Sequence, residues 1–140
     1  MRFVMPQKVQ FKHCDPAGIV FYPRYFEMTN SVAENFFRDV AGRSYAQMMA
    51  AQQGVPTAKL ESEFLRPSRL DDILEWRMEV QDLGRSSVTL SLQAWCEDEH
   101  RVSIRLVLVF VAADAKGIRP APWPDDVRER IHRFKEAADA

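Results

Sequence analysis

Residues 13–27 read His13-Cys14-Asp15-Pro16-Ala17-Gly18-Ile19-Val20-Phe21-Tyr22-Pro23-Arg24-Tyr25-Phe26-Glu27. Asp15, Pro16 and Gly18 end any strand that precedes them. Proline has no N–H to give to a ladder, and glycine accepts a positive φ or a close backbone approach. Pro23 suits the first position of a helix, where its missing N–H is no loss. Tyr22 is then the expected N-cap. Unpaired N–H groups collect there, at the positive end of the helix dipole. A short loop therefore brings a carboxylate close to a set of N–H donors. Two readings follow. Asp15 is a cap or dipole partner of the helix. Alternatively, Asp15 is a base or nucleophile and the N–H groups serve a developing oxyanion, which is the pairing that acyl transfer needs.

Downstream of the loop, Tyr25, Phe26, Val32, Ala33, Phe36, Phe37 and Val40 recur at helical spacing. They predict a helix over residues 23–41, stopped by Gly42 and buried on a broad stripe. A shorter helix is expected over 45–53, ending at Gly54. Upstream, residues 7–12 alternate polar and apolar, which predicts a short strand with Val9 and Phe11 on one face. From residue 57 the period changes to two. Leu60, Ser62 and Phe64 share one face of a strand ending at Pro67. Leu74, Trp76, Met78 and Val80 mark a second strand over 72–83, and Gly84-Arg85-Ser86 a hairpin turn. Val88, Leu90, Leu92 and Ala94 point inward from 87–97. Residues 102–112, apolar beyond Arg105, are expected to be buried on both faces. Ala115-Lys116-Gly117 turns the chain. Three prolines then lead to a last helix over 125–137, with Val127, Ile131 and Phe134 on one side. Strands that follow one another after a single long helix indicate an α+β fold. A curved antiparallel sheet wrapped around that helix is the simplest way to bury it.

With 140 residues, 46% of them hydrophobic, the chain is expected to form one domain, residues 1–140, with a core that needs no staples. Lys+Arg 19 against Asp+Glu 20 gives a net charge of −1, so there is no global basic field and no nucleic-acid partner is expected. Cys14 and Cys96 make no disulfide framework. The first residues lack an apolar signal segment, and the longest apolar run, residues 106–113, is too short to span a bilayer. A cytoplasmic protein without membrane insertion is expected. His13, Cys14, Cys96 and His100 converge poorly on one ion because two of them are adjacent in one loop, so no metal is expected. Cys14 is expected to be small and buried. Arg66, Arg69, Arg101 and Arg105 read as surface residues, and Asp71-Asp72 as a strand entry. Arg85-Ser86-Ser87 is either a solvated turn or a phosphate contact. Gly-x-Ser-x-Gly and the phosphate-binding glycine loops are absent.

The run Cys14-Asp15-Pro16-Ala17-Gly18-Ile19-Val20, with Tyr22-Pro23 and Tyr25 after it, resembles the hot-dog-fold acyl-CoA thioesterases of the 4-hydroxybenzoyl-CoA thioesterase type. Val55-Pro56, Phe64-x-x-Pro67, Asp71-Asp72-Ile73-Leu74 and Gly84-Arg85-Ser86-Ser87 follow in the family's order, so the resemblance covers about residues 7–112. It implies the hot-dog fold and hydrolysis of an acyl-CoA, with an aromatic or short-chain acyl group among the options. By motif position, Asp15 is the catalytic carboxylate, the Tyr22 backbone N–H the carbonyl-polarising donor, and Gly18 the loop glycine beside the substrate. Arg85, Ser86 and Ser87 fall where the family contacts coenzyme A, and Phe21 where it lines the acyl pocket. The resemblance further implies no cofactor besides the CoA of the substrate, and a homodimer with shared active sites that pairs into a homotetramer. One departure stands out. Many members carry an acid two positions before the catalytic Asp, where this chain has His13. A cationic His13 would lower the pKa of Asp15 and alter the pH dependence. Two alternatives remain at this point: a hot-dog dehydratase or hydratase built on a His, and an acyl-thioester binding module without catalysis.

Overall fold

The computed structural model describes residues 1–139; Ala140, the end of the expected 1–140 unit, lies outside the described residues. In chain order the elements are β1 (Phe3–Lys8), a 3-10 turn (Phe11–His13), α1 (Pro23–Asp39), α2 (Tyr45–Ala50), β2 (Gln53–Gly54), β3 (Thr57–Phe64), β4 (Ile73–Leu83), β5 (Ser87–Cys96), β6 (Glu99–Val109), β7 (Val111–Asp114), β8 (Gly117–Pro120) and α3 (Asp125–Asp139). An antiparallel five-stranded sheet has the order β1-β4-β5-β6-β3, and β2-β7-β8 form a small second sheet.

The period-two pattern of β4 to β6 sends Leu74, Trp76, Met78, Leu90, Leu92, Ala94, Val102 and Ile104 to one face, where all are buried. Helix α1 lies on that face and buries Tyr25, Met28, Thr29, Val32, Ala33, Phe36 and Phe37. Each fully buried large side chain contributes roughly 1.5–3 kcal/mol of transfer free energy. Helix α3 closes one side of the core with Val127, Ile131 and Phe134, and Phe134 meets the Phe36 ring edge-on at 5.3 Å. Among the described residues no helix is long and apolar enough to cross a membrane.

Several boundaries differ from the sequence expectation. The first strand runs over Phe3–Lys8 rather than 7–12. Gln10 and His13 cap each other reciprocally, which turns Phe11–His13 into a 3-10 turn. Phe11, expected to share a strand face with Val9, is 82% exposed while Val9 is fully buried. Helix α2 ends at Ala50, and Gln52 takes a positive φ of 56° before the two-residue β2. The expected strand over 102–112 is two strands. It leaves the large sheet after Val109 and pairs with β8 and β2 from Val111 on. Its outward residues Val107 and Val109 are only half-buried, because the outer sheet face carries no helix to cover them.

Candidate active site

The Asp15 loop is a tight hairpin closed on itself. Cys14 pairs with Val20, the Phe21 N–H donates to His13 O at 2.9 Å, and the Gly18 N–H donates to Asp15 O at 2.9 Å. Gly18 has φ +81°, the left-handed conformation that this turn needs. The Asp15 side chain is half-buried, and its Oδ1 accepts the Ala17 N–H at 2.9 Å. Its Oδ2 has no hydrogen-bond partner among the described residues. The carboxylate is thus held by one oxygen and presents the other.

Tyr22 is the N-cap of α1, as expected, followed by Pro23 at the first position. The Arg24 N–H is satisfied by Phe21 O and the Tyr25 N–H by Tyr22 O. The Tyr22 N–H takes no partner among the described residues, so it is the free donor at this helix end. An apolar cavity of about 510 Å³ opens here, lined chiefly by Ile19, Val20, Tyr22, Tyr25, Phe64 and Leu65. Its mouth is rich in rings: Tyr22 meets Phe64 at 5.9 Å and Phe26 at 6.3 Å. Phe21 touches Tyr22 at 5.5 Å but stands beside the cavity rather than in its wall.

His13 does not play the cationic role expected of it. It is buried, and its Nδ1 accepts the Gln10 N–H at 2.8 Å, which requires an unprotonated nitrogen. Burial, with Lys12 adding to it, holds its pKa below the ordinary value. His13 is a neutral cap of the turn before the loop. Cys14 is half-buried rather than buried, with its thiol 3.7 Å from Gln10 O.

Gly84, Arg85, Ser86 and Ser87 are not brought to Asp15 within one chain. The Asp15 loop hangs beside Ser68 and Arg69, near the start of β4, and the turn follows the end of β4 at Leu83. Eleven strand residues separate them, roughly 30 Å at the usual rise. The turn's carbonyls are all engaged. Arg128 donates to Gly84 O at 2.7 Å, Trp123 N–H to Arg85 O at 3.0 Å, Phe110 N–H to Ser86 O at 2.6 Å, and the Trp123 indole to Ser87 O at 3.1 Å. The Arg85 side chain is left exposed on a rigid turn.

Sequence reasoning missed the cluster beneath the loop. Arg101, expected on the surface, has a side chain only 12% exposed. Its Nη1 donates to Asp72 Oδ2 at 2.8 Å, Pro67 O at 3.1 Å and Ser68 Oγ at 3.2 Å. Glu99 stands 2.6 Å from its Nε, out of line for a hydrogen bond. Burial alone would raise the Asp72 pKa. The Arg101 bond, the Arg69 N–H and their charges outweigh it and hold the carboxyl below its ordinary range. Ser68 is fully buried and the Tyr25 hydroxyl lies beside it. The one available signal was charge complementarity between Asp72 and Arg101, which no spacing rule connects across 29 residues.

A family model described as the thioesterase-like superfamily matches residues 9–131. The chain belongs to that superfamily. A curated relative, 4-hydroxybenzoyl-CoA thioesterase of Pseudomonas sp. (strain CBS-3), is 29% identical over 140 aligned residues, covering 89% of this chain and 94% of that protein. Among solved structures, the Dynemicin thioesterase superposes with a TM-score of 0.87 at 18% identity, over 96% of this chain and 97% of its own. A protein of Staphylococcus aureus in complex with CoA gives 0.90 at 15% identity, over 97% and 85%. Likenesses at these identities establish the fold: the sheet curled around α1 is the hot-dog fold. As a member of this superfamily the chain is a thioester hydrolase.

Proposed function

We propose that the protein hydrolyses an acyl-CoA to the free acid and CoA, with Asp15 as the group that attacks the thioester carbonyl or activates water to do so. The observation that carries this reading is the Asp15 carboxylate. Oδ1 is anchored by the Ala17 N–H, Oδ2 is free, and the loop leads directly to an unpartnered N–H at Tyr22. Anchoring one oxygen orients the other, and orientation lowers the barrier by removing the entropy of approach. The Tyr22 N–H is the donor that polarises the carbonyl and holds the oxyanion. A donor of this kind is worth about 3–4 kcal/mol of barrier in other enzymes. Gly18 keeps the loop backbone bare of side chain where the thioester passes. The acyl group enters the apolar cavity, with Tyr22 at its mouth and Phe21 packed behind Tyr22. A larger open groove, about 710 Å³, lies beside Arg101. It is lined by Asp72, Glu97, Asp98 and Glu99 against Arg66 and Arg101, a net acidic wall that disfavours a polyphosphate.

The CoA nucleotide is assigned to Arg85, Ser86 and Ser87 of a second copy, because one chain keeps this turn roughly 30 Å from Asp15. The edge strand β3 ends in Phe64, 47% exposed, which with Tyr22, 56% exposed, offers that copy an apolar seat beside free strand-edge groups. This supports a homodimer with shared sites, from which the homotetramer builds. The relatives' names favour CoA as the thiol: the Pseudomonas protein is a 4-hydroxybenzoyl-CoA thioesterase. The reaction needs no metal or redox cofactor. A dehydratase reading needs a catalytic His, and His13 is committed to Gln10.

Thiol release from a panel of aromatic and aliphatic acyl-CoAs, with wild type and Asp15→Asn side by side, tests the reading. The variant is expected to lose roughly 10³-fold or more in kcat, the scale on which enzymes lose a nucleophile or base. Equal release by both proteins would show that Asp15 is not the catalytic group.

A further inference from the structure

We propose that Arg101 is a positioning residue for the Asp15 loop; the catalytic part of this inference rests on the hydrolytic reading above. The loop's own hydrogen bonds are nearly all internal. Its ties to the neighbouring sheet connection are the Val20 N–H to Ser68 O bond, 2.9 Å, and the bridge between Ile19 and Arg69. Both land on the connection between β3 and β4, residues 65–72. Residues 65–68 of that connection belong to no strand ladder, so other contacts must hold them.

Arg101 holds them from both backbone and side chain. Its carbonyl accepts the N–H groups of Leu65 at 2.9 Å and Arg66 at 3.2 Å. Its guanidinium reaches Pro67 O, Ser68 Oγ and Asp72 Oδ2, and Asp72 Oδ2 also accepts the Arg69 N–H at 2.9 Å. Val9 ties down the far end of the connection, its N–H donating to Asp72 O at 2.7 Å and its carbonyl accepting the Asp71 N–H at 2.9 Å, while residues 65–68, where the Val20 N–H lands, are held chiefly by Arg101. The means is a β-bulge. Trp95 pairs with His100 and Ala94 with Val102, which leaves Arg101 without an opposite residue. A bulge re-aims the side chain it carries. Here it turns an arginine toward the connection that shelves the Asp15 loop. All three side-chain contacts are made by one nitrogen, Nη1, so Arg101→Lys keeps a charged donor on a differently shaped side chain and is the milder change.

The test is hydrogen exchange together with kinetics on Arg101→Gln, with Arg101→Lys as the milder variant should the first fold poorly. Exchange of the Val20 amide is expected to quicken at least tenfold, while amides of β4 and β5 keep their wild-type protection. The kcat for acyl-CoA is expected to fall roughly 10–100-fold, with a smaller change in KM, as misplacement of a reacting group by a fraction of an ångström to an ångström does elsewhere. Unchanged Val20 exchange would overturn the proposal, and so would equal quickening throughout the sheet, which marks a merely structural role. Quickened Val20 exchange with an unaltered kcat would overturn the catalytic part. If the wild type released no CoA, the hydrolytic reading would fall, and the exchange data would still decide whether Arg101 anchors the loop.

Discussion

Gly18 and His13 flank the carboxylate and shape it by different means. A Cβ at Gly18 would meet nothing within 4 Å, so the obstacle to a side chain there is the φ of +81° alone. Gly18→Ala should fold and lose about 1 kcal/mol in urea unfolding, the typical penalty of a left-handed non-glycine residue. His13 acts through its neutral form. Its folded pKa lies below the ordinary 6.5, chiefly through burial, and the unfolded chain keeps the ordinary value. The unfolded state therefore binds more protons as pH falls. The stabilising contribution is complete above about pH 6.5 and is lost as pH falls through the folded pKa. The expected outcome is a steeper fall in Tm between about pH 7 and pH 5 for wild type than for His13→Asn. Parallel curves would show that His13 does not titrate in this linkage. The loop itself was legible from Asp15, Gly18 and Pro23. The neutral state of His13 was not, because burial and the Gln10 partner are properties of the fold.

Helix α3 is the element on which the Arg85 turn, the proposed CoA contact, depends. Its apolar side is Val127, Ile131 and Phe134, which the spacing in the sequence identified. Trp123 just before it stacks at 6.0 Å on Phe37, and Arg128 within it reaches Gly84 O. The same packing that closes the core therefore rigidifies the Arg85 turn. Ile131 is fully buried, so Ile131→Ala should cost about 2–5 kcal/mol of stability through lost transfer energy and a residual cavity. Chemical denaturation checks this; a loss below about 1 kcal/mol would mean that α3 collapses onto the gap. Strands β4 and β5 were readable almost to the residue because their alternation is strict. The break between β6 and β7 was not, since Phe110 stays buried at 3% exposure and the apolar run continues straight through it. Periodicity cannot show that a strand changes sheets.

Across the whole molecule, one chain holds the Asp15 loop and the Arg85 turn at opposite ends of β4. If each site takes one half from each copy, two crippled proteins should repair each other. Asp15→Asn and Arg85→Ala, mixed after subunit exchange, give hybrids with one doubly damaged site and one intact site. Thiol release at limiting acyl-CoA should then exceed the mean of the two separate variants. No gain over that mean, with hybrid formation verified by mass spectrometry, would show that each chain builds its site alone.

The sequence by itself determined the class of fold, the central helix and its start, and the carboxylate loop with its free N–H. These depend on short-range rules: proline and glycine geometry, helix-end donors, and period-two or helical spacing of apolar residues. Tertiary structure alone decided that Arg101 is buried against Asp72 and Ser68, that His13 is neutral, and that the Arg85 turn is remote from Asp15. Each depends on which segments meet across long stretches of chain, and on a bulge that shifts a side chain by one position. Local spacing carries no record of either.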